Sequence, residues 1–213
     1  MSKSSRRGRM VWPISFVVTL ALGGCETPTP NVEPAHMLSG TSGKGVAVGT
    51  IVHSGFHGHY RLYYRQIGGG EAGFFQLSSV DPSQNGAIFA TELAAGDYEI
   101  YDWRVYLHRR TGEWMEISTP EPVSIPFHVS PGEAVYVGSC TFGVLGGRFR
   151  RRNEVYGATV ECARRPDRDV ALFQERYPGL SPIANNAGAE LLYRNRRSQV
   201  RRYSPGEGYV SRI

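Results

Sequence analysis

Alternation of apolar and polar residues is the feature that most constrains what this chain of 213 residues can fold into. It is clearest in residues 123–129 (VSIPFHV), where every second residue is apolar. The same period of two recurs in short runs across residues 45–162, with turn residues separating the runs about every eight to twelve positions. Because successive side chains of a strand point to opposite faces, the pattern predicts half-buried β-strands.

Two irregularities locate special positions within these strands. The apolar parity changes between Ile100 and Trp103, which predicts a β-bulge near Tyr101 and Asp102. Pro126 cannot donate a backbone hydrogen bond, so its strand is expected at an edge of its sheet.

The turn sequence LAAGDY at 93–98, followed by FHVSPGE at 127–133 and YVG at 136–138, resembles a known type of sandwich. It is similar to the prealbumin-like, carboxypeptidase-regulatory domains of many bacterial lipoproteins, over about residues 44–142. In those domains a Leu–Gly–Tyr turn and a later Val–Pro–Gly hairpin mark consecutive strands, and the modules are mostly non-enzymatic. We expect an all-β fold: a single antiparallel β-sandwich with a short C-terminal helix and a flexible arginine-rich tail.

The helix is expected from Pro166 to Tyr177, because proline suits a first turn and Pro178 ends the run. Residues 181–213 are polar and rich in arginine, and their composition predicts a flexible tail. Residues 25–43 are rich in Pro, Thr, Ser and Gly, which is typical of a tether.

The N-terminus has the order of a secretory signal, with a basic region at residues 3–9 and then an apolar stretch of roughly a dozen residues. That stretch is too short to cross a bilayer comfortably. Its end, Leu22-Gly23-Gly24-Cys25, resembles the lipobox of bacterial lipoproteins. The resemblance implies cleavage before Cys25 and acylation of that residue. An uncleaved anchor, or an ordinary signal with a chance cysteine, is the alternative.

Acylation would attach the chain to a membrane through lipid alone. Glu26 follows the cysteine in place of the aspartate that retains enteric lipoproteins at the inner membrane. The resemblance therefore implies an outer-membrane lipoprotein facing the periplasm, with surface exposure also open. The expected division is a signal peptide at 1–24, a tether at 25–43, a sandwich domain at 44–163, a helical segment at 164–180 and a tail at 181–213.

Two further cysteines, Cys140 and Cys162, would then lie in an oxidising compartment. A disulfide between them closes a loop of about 20 residues and stabilises the fold by roughly 3 kcal/mol on the chain-entropy model. Two free buried thiols are the alternative. The spacing of the cysteines excludes a zinc ribbon, because the chain has no pair of CxxC motifs.

Charge is divided between the two parts of the mature chain. Residues 26–145 carry six Lys and Arg against twelve Asp and Glu, whereas residues 146–213 carry fourteen Arg and seven acids. The basic part contains a cluster at 148–152 (RFRRR), and a second arginine group follows at 194–202. Guanidinium groups bind phosphate and carboxylate bidentately, so an anionic envelope ligand is expected, lipopolysaccharide or cell-wall polymer. The candidate residues of the first cluster are Arg148, Arg150, Arg151 and Arg152.

Pairing of these arginines with the acidic body of the same molecule is the competing interpretation. Nucleic acid is excluded by the expected compartment. A protein partner in the envelope is the other class of partner that a non-catalytic module would have.

Histidines supply the remaining candidate site. His57 and His59 are two residues apart on one strand, so they share a face, and His53 ends the preceding strand. A metal site of these three residues is the less favoured alternative function. The segment 68–73 (GGGEAG) matches G-x-G-x-x-G, but another strand follows it, which indicates a hairpin loop.

No catalytic motif accompanies these features. The chain lacks G-x-S-x-G, S-x-x-K and H-E-x-x-H. The sequence therefore predicts a protein that is not an enzyme and that needs no cofactor, acting as a structural or interaction module.

Overall fold

The chain folds into two β-sheets packed face to face, so the prediction of an all-β sandwich is confirmed. The computed structural model describes residues 28–54, 56–79, 86–108, 112–149, 152–180, 183–184 and 190–203. The elements are β1 (Lys44–Ser54), β2 (Gly58–Gln66), β3 (Ala72–Ser79), β4 (Gly86–Ala94), β5 (Gly96–His108), β6 (Trp114–Ser118), β7 (Ile125–Val129), β8 (Ala134–Phe149), β9 (Arg152–Arg164), α1 (Pro166–Arg176), β10 (Ile183–Ala184), β11 (Glu190–Arg194) and β12 (Gln199–Tyr203).

Sheet I has the strand order β12-β6-β5-β2-β3, with β7 also pairing β5. Sheet II has the order β11-β9-β8-β1-β4, with β10 also pairing β8. Most pairs are antiparallel, but β1 and β8 run parallel, with Thr50 opposite Ser139. Parallel neighbours need a long crossover connection, and here that connection supplies β4 and most of sheet I. The sandwich is thus mostly antiparallel, but in sheet II β8 runs parallel to both β1 and the short β10, which short-range alternation does not predict.

Large aromatic side chains fill the space between the sheets. Tyr60, Leu62 and Tyr64 of β2 point inward, which agrees with the alternation of that strand. Phe75 of sheet I stacks on Phe89 of sheet II with 4.1 Å between ring centroids. Burying one such side chain stabilises the fold by about 1.5–3 kcal/mol, so these contacts hold the two sheets together.

The predicted bulge and edge strand are both present. Tyr63 pairs with Asp102 while Tyr64 pairs with Ile100, so Tyr101 is the extra residue in β5. Beyond the bulge, the inward-facing set of β5 changes parity, as the sequence pattern requires. The strand β7 pairs with β5 and, within the described part of the chain, with no second strand, and its Pro126 side chain is exposed.

A disulfide joins Cys140 of β8 to Cys162 of β9. The two residues are direct cross-strand partners, their Cα atoms are 4.0 Å apart, and both side chains belong to the core. The bridge therefore links inward-facing positions of adjacent strands in sheet II.

The predicted helix is also present, as α1, and it packs on the outer face of sheet II. Val46 and Val48 of β1 share a face, as their alternation indicates, but that face points away from the main core. Phe173 and Tyr177 cover these valines together with Tyr136, forming a second, smaller core. Sheet II is thus buried on both faces along this part of its length.

Residues 28–43 lie along the sandwich, in place of the expected free tether. Thr29 N–H donates to the Phe74 carbonyl of β3, and Val32 N–H donates to the Ala90 carbonyl of β4. The segment 28–32, the N-terminal strap, therefore crosses from the edge of sheet I to the edge of sheet II. Covered edges resist pairing with other chains, so the strap protects the sandwich on this side.

Residues 190–203 form the corresponding C-terminal strap, which corrects the prediction of a flexible tail for this part of 181–213. Its first half, β11, pairs with β9 of sheet II, and its second half, β12, pairs with β6 of sheet I. Composition predicted no such order because polar side chains bury little apolar surface. The strap is held by backbone hydrogen bonds to the sheet edges and by Leu192, Tyr193 and Val200, which pack against the main core.

Candidate functional site

A buried polar cluster fixes the start of α1 on the outer face of sheet II. The Asp169 carboxylate, only 2% exposed, accepts hydrogen bonds from the Thr50 hydroxyl at 3.2 Å and from the Tyr136 hydroxyl. Arg168 Nε donates to the same carboxylate at 2.6 Å, and its Nη2 donates to the Ser139 hydroxyl at 2.9 Å. Burial, followed by the hydrogen bond to Asp169, raises the pKa of Tyr136, which keeps its hydroxyl neutral.

Beside this cluster the outer face of sheet II forms an open recess of about 530 Å³, which we call the trough. Strand register creates it, because Ser54, Gly143 and Thr159 lie side by side on β1, β8 and β9. A Cβ atom on Gly143 would lie 2.6 Å from the Thr159 hydroxyl, so the glycine keeps the floor open. The trough is lined by Ser54, Thr141, Gly143, Thr159, Val160, Glu161, Arg165, Arg194 and Asn195.

Two arginines and one carboxylate determine the charge of the trough. Arg194 Nε donates to Glu161 at 2.8 Å, and Arg165 Nη2 lies 3.6 Å from the other oxygen of that carboxylate. The side chains of Arg194 and Arg165 are 63% and 46% exposed, so both present N–H groups to solvent. With two guanidinium groups against one carboxylate, the wall is net positive. Together with the floor hydroxyls it can hydrogen-bond an anionic or hydroxyl-rich ligand.

A second recess, of about 580 Å³, lies between α1 and the edge of β4. Arg168 and Arg176 of the helix line it, together with Asn31 of the N-terminal strap. Arginine side chains of α1 thus reach this cavity as well, while Arg165, just before the helix, reaches the trough. Each of these two recesses is therefore lined by two arginines and one carboxylate.

Sequence reasoning did not find the trough, apart from the inclusion of Arg194 in the second arginine group. Ser54, Thr141 and Thr159 are ordinary outward-facing strand residues, far apart in the chain. Only the parallel register of β1 with β8 brings them together. The signal available in the sequence was the pair Arg164-Arg165 at the end of the last long strand.

The first arginine cluster lies at a protruding hairpin. β1 ends at Ser54, opposite Gly143, whereas β8 continues six residues further to Phe149. Arg148 and Arg152 lie in the two strands of this hairpin, opposite Asn153 and Phe149 respectively. Two further predicted residues, Arg150 and Arg151, lie outside the described residues, as does the predicted lipidation site Cys25.

The three histidines of the metal prediction are not brought together. His53 is buried in the core, where its ring stacks on Tyr60 with centroids 4.8 Å apart. His59 lies on the opposite, outer face of sheet I and stacks on Trp114 at 6.3 Å, while His57 precedes β2. Across the described ranges, no group of three or more His, Cys, Asp or Glu side chains could hold a metal ion. Burial and the nearby Arg61 lower the pKa of His59.

The outer face of sheet I is built from interleaved arginines and aromatic rings. The Arg61 guanidinium lies 4.3 Å from the centroid of Phe74 and 4.7 Å from that of Tyr106. Arg104 lies over Tyr63 at 4.8 Å. Cation–π contacts of this kind stabilise by about 0.5–2 kcal/mol each, so these arginines already have partners within the sheet.

Comparison with known proteins gives no match, whether with family models, with curated proteins or with solved structures. In the part of the chain that the structure describes, no helix combines the length and apolarity that crossing a membrane requires.

Proposed function

We propose that this chain is a lipoprotein acylated at Cys25 and held at the outer membrane, where its sandwich faces the periplasm as a non-catalytic interaction module. The observation that carries the proposal is the sequence Leu22-Gly23-Gly24-Cys25 at the end of an apolar stretch with a basic start. The disulfide between Cys140 and Cys162 supports it, because such bonds persist in oxidising compartments.

Intact-mass measurement of the wild type and of Cys25→Ser tests this proposal. Both are expressed at full length in a diderm bacterium, and the membranes are separated by density. The wild type is expected to lack residues 1–24, to carry the mass of attached acyl chains and to fractionate with the outer membrane. Cys25→Ser is expected to lack the acyl mass. A wild type that remains unprocessed and soluble in the cytoplasm would overturn the proposal.

A second candidate function is binding of an anionic envelope polymer, either lipopolysaccharide or a cell-wall polymer. The trough supports this candidate, because Arg165 and Arg194 provide exposed guanidinium groups beside a row of hydroxyls and share only Glu161. A polymer carrying phosphate or carboxylate groups would displace water from these donors and form bidentate hydrogen bonds.

Retention on immobilised lipopolysaccharide and on purified cell wall tests the second candidate. Arg165→Ala with Arg194→Ala should lower retention several-fold, and added salt should lower the retention of the wild type. Arg65→Ala is the matched control, because this exposed arginine pairs with Glu99 on sheet I, away from the trough. Substitution of Arg148, Arg150, Arg151 and Arg152 forms a separate arm. Equal retention of wild type and both arginine variants would contradict anion binding.

A further inference from the structure

The N-terminal strap fixes the point from which the chain leaves the sandwich toward Cys25. Pro28 forms a parallel bridge with Phe74, and Thr29 N–H donates to the Phe74 carbonyl at 3.3 Å. The Thr29 hydroxyl shares a hydrogen bond of 2.6 Å with the Tyr64 hydroxyl. Burial raises the pKa of Tyr64 to about 12, so this partner stays neutral and in place. A Cβ atom on Gly73 would lie 2.6 Å from the Thr29 hydroxyl, so the glycine permits this close contact.

Covalent geometry then limits where an acylated Cys25 can lie. Cys25 is three positions before Pro28, and an extended chain covers at most about 3.6 Å per position, or about 11 Å in total. Because the bridge is parallel, the strap runs in the direction of β3, so its first residue, Pro28, is the end nearest the start of β3 and the β2–β3 hairpin. That hairpin carries Ile67, which is 55% exposed, followed by three glycines.

Several turns lie at the same end of the sandwich as this hairpin. Ile67 N–H donates to the Asp97 carbonyl at the start of β5, just after the β4–β5 turn. Gly132 N–H in the β7–β8 turn donates to the Lys44 carbonyl at the start of β1. We call this surface the hairpin end. The trough lies toward the opposite end, where Ser54 terminates β1.

Resting on the proposed acylation of Cys25, we propose that the hairpin end is a docking surface for the bilayer that holds the anchor. The sandwich stands with Ile67 at the lipid headgroups, and the trough faces away from that membrane. The acyl chains supply the membrane affinity, and the short connection from Cys25 to Pro28 sets the orientation of the sandwich. The glycine loop after Ile67 has no side chains to hold the backbone away from the headgroups.

The same geometry separates the basic surface from the anchoring bilayer. β8 starts near the hairpin end at Ala134 and runs 16 residues to Phe149, which at 3.3 Å per residue is about 50 Å. Charges are screened over about 8 Å at physiological ionic strength. Headgroups of the anchoring membrane are therefore too distant to attract the β8–β9 hairpin.

Site-specific fluorescence quenching tests this orientation. Ile67→Cys and the control Leu145→Cys, in the protruding part of β8, are each labelled with an environment-sensitive dye on the acylated protein without reductant. Cys25 is blocked by acylation and Cys140 is joined to Cys162, so only the introduced thiol reacts. The proteins are reconstituted into phosphatidylcholine vesicles containing a lipid with a nitroxide on its headgroup. Quenching is expected to be several-fold stronger for the label at 67 than for the label at 145.

A longer connection between Cys25 and Pro28 provides a second variant that leaves the fold intact. Insertion of about ten Gly and Ser residues between Thr27 and Pro28 frees the domain from the surface and should lower quenching at position 67. Equal quenching at both positions, or no effect of the insertion, would overturn the orientation while the acyl mass stands. Absence of the acyl mass from the purified protein would overturn the proposed function, and this inference with it.

Discussion

Asn195 is the residue on which the C-terminal strap most depends. It lies between β11 and β12, is 9% exposed and contacts the edge of β9 as a strand residue would. Its Oδ1 accepts from Val160 N–H at 2.5 Å, and its Nδ2 donates to the Ala158 carbonyl at 2.9 Å. Its own N–H donates to the Val160 carbonyl at 3.1 Å. The side chain thus continues the backbone ladder at the point where the strap crosses between the sheets.

Asn195→Ala removes both side-chain bonds to β9, together with the Nδ2 bond to the Arg197 carbonyl, and leaves two groups of β9 without their partners. Leaving a buried donor or acceptor unpaired costs about 1–3 kcal/mol. Because water can enter and partly satisfy these two groups, we expect a loss of about 3 kcal/mol in the free energy of unfolding. For a domain of this size each kcal/mol lowers Tm by about 2–4 °C, so the expected decrease is about 6–12 °C.

Calorimetry and urea unfolding of the oxidised domain measure this effect. The matched control is Arg197→Ala, because Arg197 contributes only its backbone carbonyl to Asn195 and its side chain is exposed. Its unfolding free energy should stay within about 0.5 kcal/mol of the wild type. An Asn195→Ala variant as stable as the control would refute the conclusion that this side chain holds the strap.

Three further results are expected. Replacing Cys140 and Cys162 together with Ala should lower the free energy of unfolding by about 3 kcal/mol, measured in urea without reductant; reductant should then affect the wild type but not the variant. Because burial and Arg61 lower the pKa of His59 from 6.5, the folded state binds fewer protons than the unfolded state, and stability should fall as pH drops through 6.5. Urea unfolding at about pH 7.5 and about pH 5 should show a smaller decrease for His59→Gln than for the wild type, and an equal decrease would contradict the assignment. Asp169→Leu should destabilise by about 2 kcal/mol and speed proteolysis within α1, because it removes the buried acceptor that holds the helix; unchanged cleavage would argue against that role.

Local patterns predicted the strands and their special positions well. The alternation in 123–129 and the parity change around Tyr101 are consequences of the two-residue period of a strand, which any sequence window shows. The disulfide was expected because Cys140 and Cys162 remain once Cys25 is assigned to the lipid, and because the expected compartment is oxidising, with two free thiols as the alternative. The helix followed from Pro166 at its start and Pro178 beyond its end.

The sites depended on information that no local window contains. Ser54 and Thr159 are 105 positions apart in the chain, yet the register of β1, β8 and β9 places them in one trough. The histidines illustrate the opposite error, because residues close in sequence were expected to be close in space. His53 and His59 instead belong to different sheets and point into different surroundings.

The amino-acid sequence by itself therefore determined the class of fold, the strand positions, the bulge, the helix and the pairing of the cysteines, because each follows from short-range periodicity or residue chemistry. Only the tertiary structure decided the parallel pairing of β1 with β8 and the two straps. Backbone hydrogen bonds contribute to all of these contacts, and a backbone N–H or carbonyl is the same in almost every residue. Composition therefore could not distinguish residues 28–32 or 190–203 from free chain, whereas the unpaired edges of a completed sandwich bind them.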